Sequence, residues 1–193
     1  MVSESAVLDP KPRSREAPPR ASAMVEALRG LGYSPGTALA DVIDNIIAAG
    51  ATDVDVTFTW RDRDSYLTVA DNGAGMTDAE LERAMRLGAR SPLEAREAHD
   101  LGRFGLGLKT ASFSQCRRLT VASRKAAVTS CLRWDLDVLA ASTDGRWLLL
   151  EGAHPGSEHR LNELEACTSG TVVLWEMMDR ICLLYTSPSP RDS

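Results

Sequence analysis

No apolar run in this chain of 193 residues approaches the roughly 20 residues that span a bilayer, and the opening stretch MVSESAVLDPKPRSREAPPR lacks the apolar centre of a secretory signal. These absences argue against a membrane span and an export signal, so a cytoplasmic protein that does not enter the membrane is expected. Excess positive charge is missing as well. Twenty-two Lys and Arg stand against 27 Asp and Glu, a formal charge of −5, which gives no general field for attracting nucleic acid. The four cysteines, Cys116, Cys131, Cys167 and Cys182, form no CxxC pair and have no histidine at ligand spacing. That removes the usual zinc patterns and leaves reduced, structural thiols.

What is present suffices for one ordinary domain, since 44% of the residues are hydrophobic. Residues 1–20, rich in Pro, Ser, Arg and Glu, bury too little to offset their ordering entropy and read as a disordered lead-in. From Ala21 the pattern is periodic. Met24, Val25, Leu28 and Leu31 suggest a short helix, the Ser34-Pro35-Gly36 turn interrupts it, and a second helix is expected over about 36–49. Asp53–Trp60 and Tyr66–Ala70 read as a strand pair joined by a charged turn. Thr77 with Glu80 forms a capping-box signature for a helix ending at Gly88.

The glycine-rich run Gly102–Gly107 then opens a helix through about Phe113. Strands are expected at Arg118–Ser123, Val128–Trp134, Trp147–Glu151 and Thr171–Trp175. Helices followed by consecutive strands favour an α+β two-layer sandwich, a mixed, mainly antiparallel sheet covered on one face by helices; a doubly wound parallel sheet is the alternative. The last residues, 179–193, share neither periodicity nor composition with the rest, and read as linker or as a non-native end.

Three local patterns carry chemistry. On the second helix Leu39, Val42, Ile43 and Ile46 form one apolar stripe, and Asp41 and Asn45, four residues apart, are neighbours away from it. An amide oxygen suits a hard cation such as Mg²⁺, and a carboxylate beside it can orient a water toward a phosphoryl group. Alone, such a pair is usually a solvated helix face. The string Asp71-Asn72-Gly73-Ala74-Gly75-Met76 ends a strand with glycines that permit a sharp turn and close backbone approach, and it places at the strand's end a carboxylate that accepts from an amino group such as adenine's. Alone, it is an ordinary Asn-Gly turn. Gly102-Arg103-Phe104-Gly105-Leu106-Gly107-Leu108-Lys109 supplies backbone N–H groups and a lysine for an anion, but it is neither a P-loop nor preceded by a strand. Together, in this order, the three supply metal and water, base, and phosphates.

The strings D-V-I-D-N (41–45), D-N-G-A-G-M (71–76), G-R-F-G-L-G-L-K (102–109) and S-G-T (169–171) resemble the four boxes of the GHKL ATPase superfamily, over about residues 21–178. The 104–109 loop looks more like MORC-type and heat-shock-chaperone members than mismatch-repair ones. The resemblance implies a Bergerat-type ATP-binding fold with ATP and Mg²⁺ as ligands. It assigns Asn45 to the metal, Asp71 to the adenine amino group, and Gly75 with Met76 to the turn beside the base. Gly102, Gly105 and Gly107 with Lys109 fall to the phosphates, and Thr171 to the water network beside adenine. Residues between Met76 and Gly102 correspond to a mobile ATP lid, in which Arg90 and Ser91 are read as solvated.

Asp41 stands where hydrolytic members usually carry glutamate. Its carboxylate is shorter by about 1.5 Å, so it is the candidate catalytic base while hydrolysis is less firmly implied than binding. The resemblance also implies dimerisation through flanking segments of a longer parent protein, with a client the sequence does not name. The expected role is an ATP-operated conformational switch. The alternatives are a histidine-kinase-like catalytic domain, though none of His99, His154 and His159 precedes the core, and an ATP-binding module without hydrolysis.

Overall fold

Ser34 begins the longest helix because its hydroxyl accepts the Thr37 N–H at 3.1 Å while Pro35, lacking an N–H, occupies the first helical position. The computed structural model describes residues 15, 17–30, 32–88 and 107–180. Within them the helices are α1 (Ala21–Arg29), α2 (Pro35–Ala48), α3 (Asp78–Met85), α4 (Gly107–Gln115) and α5 (Leu136–Ala141). The strands are β1 (Val54–Thr59), β2 (Tyr66–Asp71), β3 (Arg118–Lys125), β4 (Val128–Asp135), β5 (Leu150–Glu151) and β6 (Gly170–Glu176). Most of the expected lead-in, tail and lid, together with Gly102, Gly105, Arg90 and Ser91, lie outside the described residues.

Six strands form one sheet in the order β1-β2-β6-β3-β4-β5, and every pairing is antiparallel. Register turns the strand sequences into cross-sheet rows. Leu67, Trp175, Leu119 and Trp134 lie side by side, and so do Val69, Val173, Val121 and Leu132. Successive strand side chains alternate between faces, so both rows point to the same side, where α1 to α5 cover them. This is the α+β two-layer arrangement read from the sequence.

The centre of the helix layer is α4, buried continuously from Lys109 to Gln115. A helix enclosed on all sides needs no apolar stripe, but its polar groups need partners. Ser112 Oγ accepts the Trp175 indole N–H at 2.8 Å, and Gln115 Nε2 donates to the Tyr33 carbonyl at 3.1 Å. On α2 the fully buried positions are Ala38, Val42 and Ile46, with Leu39 packed at the margin and Ile43 half-buried. Val42 and Ile46 of the expected stripe are buried, and Ala38 is buried beside them where α2 packs on α4.

Two elements were not expected. Helix α5 is capped by Asp135, whose carboxylate accepts from the N–H groups of Asp137 and Val138. On the sheet's other face a 3₁₀ segment, Glu158–Ala166, sets Leu161 and Leu164 over Ala70, Ala122 and Val172. The expected strand at 147–151 is reduced to Leu150–Glu151, since Leu148 and Leu149 pack into the core instead of pairing.

Trp175 is fully buried and its indole N–H is satisfied. Trp175→Ala is expected to cost about 3–5 kcal/mol in urea unfolding, through the cavity and the orphaned Ser112 hydroxyl.

Candidate nucleotide site

The apolar rows end abruptly at one edge of the sheet. The next row on the helix-facing side is Asp71, Thr171 and Ser123, three polar residues in register on β2, β6 and β3. Its members are tied to each other and to the loop after β2. Ser123 Oγ donates to the Gly170 carbonyl at 3.1 Å, lies 2.9 Å from Thr171 Oγ1, and accepts the Met76 N–H at 2.8 Å.

Two glycines let these backbones meet. Gly75 has φ of 64°, and a Cβ there would lie 1.9 Å from the Arg124 carbonyl oxygen. At Gly170 a Cβ would lie 2.2 Å from the Asp71 carbonyl oxygen. Any side chain at either place would push β2, β3 and β6 apart. What excludes a side chain at Gly75 is therefore the β3 backbone, a different reason from the close approach to a ligand expected from the sequence.

Asp71 is buried, and its Oδ1 accepts the Gly73 N–H at 2.7 Å. Burial raises its pKa above the usual aspartate value, although the N–H groups of Gly73 and Thr171 pull the other way. A partly desolvated carboxylate with lone pairs to spare favours a donor. Asn72 beside it is structural: its Oδ1 accepts from the N–H groups of Thr52 and Asp53, and its Nδ2 donates to Thr52 Oγ1 and Asp53 Oδ2. The end of β2 is thereby tied to the chain leaving α2.

On α2, Asn45 Nδ2 donates to the Asp41 carbonyl. This fixes the amide and leaves its oxygen as the open acceptor on an exposed side chain. The donor chemistry fits a hard divalent cation whose remaining ligands are phosphate oxygens and waters. Asp41 is half-buried, and its Oδ2 would lie 3.9 Å from a Cβ on Gly107, the first residue of α4. The helix pair thus brings Asp41 to the N-terminal end of α4, where the dipole favours negative charge.

Lys109 is placed differently from an open phosphate cradle. It is buried, and Nζ donates to the carbonyls of Ala84 at 2.7 Å and Arg86 at 3.0 Å. These belong to the C-terminal turn of α3, where carbonyls lack helical partners. Burial lowers the lysine pKa to about 8. The first part of the expected lid is likewise built into the core: Thr77 and Glu80 form the capping box of α3, and Leu81 and Met85 are fully buried.

Ser123 and Asn72 were not among the expected site residues. A signal for Ser123 lay in β3, where the alternation Leu119, Val121 breaks to a hydroxyl at the next inward position. No group of three or more His, Cys, Asp or Glu able to hold a metal occurs among the described residues, so the cation would depend on Asn45 and on the phosphates.

The family model of the histidine kinase-, DNA gyrase B- and HSP90-like ATPases matches residues 33–171, which include Asp41, Asn45, the Asp71–Met76 turn and Thr171. The chain belongs to this ATPase family. Among curated relatives it is similar to ATPase morc-1 of Caenorhabditis elegans, 30% identical over 98 residues, which are 51% of this chain and 11% of that protein. The DNA mismatch repair protein MutL of Rhodospirillum rubrum is 34% identical over 105 residues, 54% of this chain and 16% of the relative. The chaperone protein HtpG of Halalkalibacterium halodurans is 30% identical over 139 residues, 63% of this chain and 21% of the relative. The chain therefore corresponds to a small part of each of these proteins. MORC-type, chaperone and mismatch-repair members all match at similar identity, which supports the family without favouring the first two types over the third.

Within this ATPase domain the buried lysine makes a pH prediction. The folded pKa of Lys109, about 8, lies below the ordinary 10.5, so the unfolded chain holds the proton more tightly between those values. The cost of burying the charge is present below about pH 8 and lifts as pH rises toward 10.5. In denaturant unfolding, the stability advantage of the wild type over Lys109→Met should grow across that window; a flat difference would refute the buried-charge reading.

Proposed function

We propose that the chain is a Mg²⁺-dependent ATP-binding domain that hydrolyses ATP slowly and works as a conformational and dimerisation switch inside a longer parent protein. The observation that carries this reading is the polar row Asp71–Thr171–Ser123, which closes an otherwise apolar sheet face at the end where Gly75 and Gly170 bring three backbones together. Family membership supports ATP as the ligand.

In this reading Asp71 accepts the adenine amino group, and Thr171, hydrogen-bonded to Ser123, orders the water beside the base. Gly75 and Met76 hold the turn against which adenine lies. The phosphates meet the N–H groups at the start of α4, with Gly102 and Gly105 contributing from the preceding loop and Lys109 from the first turn. Asn45 offers its amide oxygen to Mg²⁺, which would neutralise phosphate charge when bound. Asp41 orients the attacking water and takes its proton, from a position one methylene short of the usual glutamate.

Hydrogen bonds from Lys109 to the end of α3 suggest how nucleotide acts at a distance. A phosphate that draws the ammonium away frees the Ala84 and Arg86 carbonyls and releases the segment that follows α3, the expected lid. Dimerisation through flanking segments of the parent, a cytoplasmic setting and an unidentified client complete the proposal. That no described helix is long and apolar enough to cross a membrane accords with it.

Asp71→Asn exchanges an acceptor for a donor toward adenine. Loss of ATP affinity by at least about a hundredfold is expected in calorimetry, with the fold kept to within about 1 kcal/mol. Near-native affinity would remove Asp71 from the site.

Turnover provides a separate test. Asp41→Asn should abolish phosphate release without abolishing binding, whereas Asp41→Glu should raise it, by up to about a hundredfold if position alone limits the base. Absence of turnover in the wild type and in Asp41→Glu would favour the second reading, an ATP-binding module without hydrolysis, to which the short carboxylate at position 41 already points.

A further inference from the structure

Asn72 commits its hydrogen-bonding groups to one dipeptide. Its Oδ1 accepts the N–H groups of Thr52 at 2.9 Å and Asp53 at 3.1 Å, and its Nδ2 donates to Thr52 Oγ1 at 2.9 Å and Asp53 Oδ2 at 2.7 Å. A side-chain amide has two donor hydrogens and two lone pairs on its oxygen, so none is left over. The side chain is exposed, where one hydrogen bond contributes little; several aimed at a single place fix a geometry.

That place is the connection between α2 and β1. The same turn also docks on α2 itself. Ala74 N–H donates to the Ala49 carbonyl at 3.1 Å, and a Cβ on Gly73 would lie 3.1 Å from that carbonyl oxygen and 3.3 Å from the Ala49 Cβ. Ala49 N–H in turn donates to the Asn45 carbonyl at 3.0 Å. A single residue therefore joins the turn after Asp71 to the backbone of Asn45, about one helical turn away.

Asp71 and Asn45 are held by different parts of the fold. Asp71 is set by strand pairing, in register with Thr171 on β6 and Val54 on β1, and by the Gly73 N–H. Asn45 rides on α2, which packs on α4. The bonds of Asn72 and the Ala49–Ala74 bond tie the C-terminal end of α2 to the end of β2.

We propose that Asn72 is a positioning residue that sets the spacing between Asp71, which takes the base, and Asn45, which takes the cation, and so couples base recognition to Mg²⁺-phosphate binding. This coupling rests on the ATP-binding reading of the site. A cation such as Mg²⁺ demands close placement of its ligands, so an α2 released from the turn loses the Asn45 contact, while Asp71 keeps its place in the sheet and its hold on the base. Position 72 needs an amide and not a carboxylate, because the Asp53 carboxylate opposite it requires a donor and would repel a second anion.

Calorimetric titration of the full chain with ATP, once in EDTA and once with Mg²⁺, reads the two parts separately. In Asn72→Ala the Mg²⁺-free affinity should stay within about threefold of the wild type, while the gain on adding Mg²⁺ shrinks by about tenfold. Asn72→Asp should lose the gain to at least the same extent. Asp53→Asn alone keeps an acceptor for Nδ2 and should change the gain by less than about twofold. The double variant Asn72→Asp with Asp53→Asn exchanges donor and acceptor across the contact and should restore the gain, which keeps the test valid even if Asn72→Ala fails to fold. An equal fall of both affinities in Asn72→Ala, an undiminished gain, or a double variant no better than Asn72→Asp would each overturn the proposal. A folded wild type that binds no ATP would overturn the ATP reading itself, and the coupling with it.

Discussion

Backbone contact at the Gly75 and Gly170 corner governs the polar end of the sheet. A side chain at either glycine would strike a carbonyl of the neighbouring strand, so the absence of Cβ atoms is what lets β2, β6 and β3 run together to their ends in register. That register places Asp71, Thr171 and Ser123 in one row, and Ser123 then captures the Met76 N–H to set the path of the chain into α3. Displacing the ladder by one residue would turn all three side chains to the opposite face. The site depends on strand pairing before it depends on any polar contact.

Electrostatics at the site run against burial. Asp71 and Lys109 both lie in the low-dielectric region between sheet and helices, and burial disfavours the charged form of each. Neither charge is neutralised by an ion pair among the described residues. Asp71 is held by backbone N–H groups and Lys109 by backbone carbonyls, interactions that a ligand's amino group or phosphate can supplement or replace. Burying the charge of each costs folding free energy, so these groups are better explained by what they receive than by what they stabilise.

The parts of this architecture that were legible in the sequence are those whose cause is local. The capping box at Thr77 and Glu80, a second helix from about residue 36 and the alternation in β3 and β4 need only neighbours in the chain, and the structure shows each of them, with Ser34 and Pro35 opening the helix where the sequence suggests a turn. Long-range causes stayed hidden. The β3–β4 hairpin turns on Ala126 and Ala127, both with positive φ, where the usual glycine or asparagine signal is missing. Helix α5 spans six residues, too few to reveal a period, and the 3₁₀ segment Glu158–Ala166 contributes little more than Leu161 and Leu164 to the sheet's second face. Among the expected site residues, Asp41, Asn45, Asp71, Gly75 and Thr171 occupy the elements assigned to them, but that Lys109 bonds the end of α3 could not be read from spacing, because its partners lie more than twenty residues away.

Titration calorimetry of the unmodified chain with ATP, in the presence and absence of Mg²⁺, tests the central claim most directly. The account predicts saturable binding that strengthens when Mg²⁺ is present, since Asp71 holds the base and Asn45 reaches the phosphates only through the cation. A folded chain that takes up no heat with ATP under either condition would contradict it.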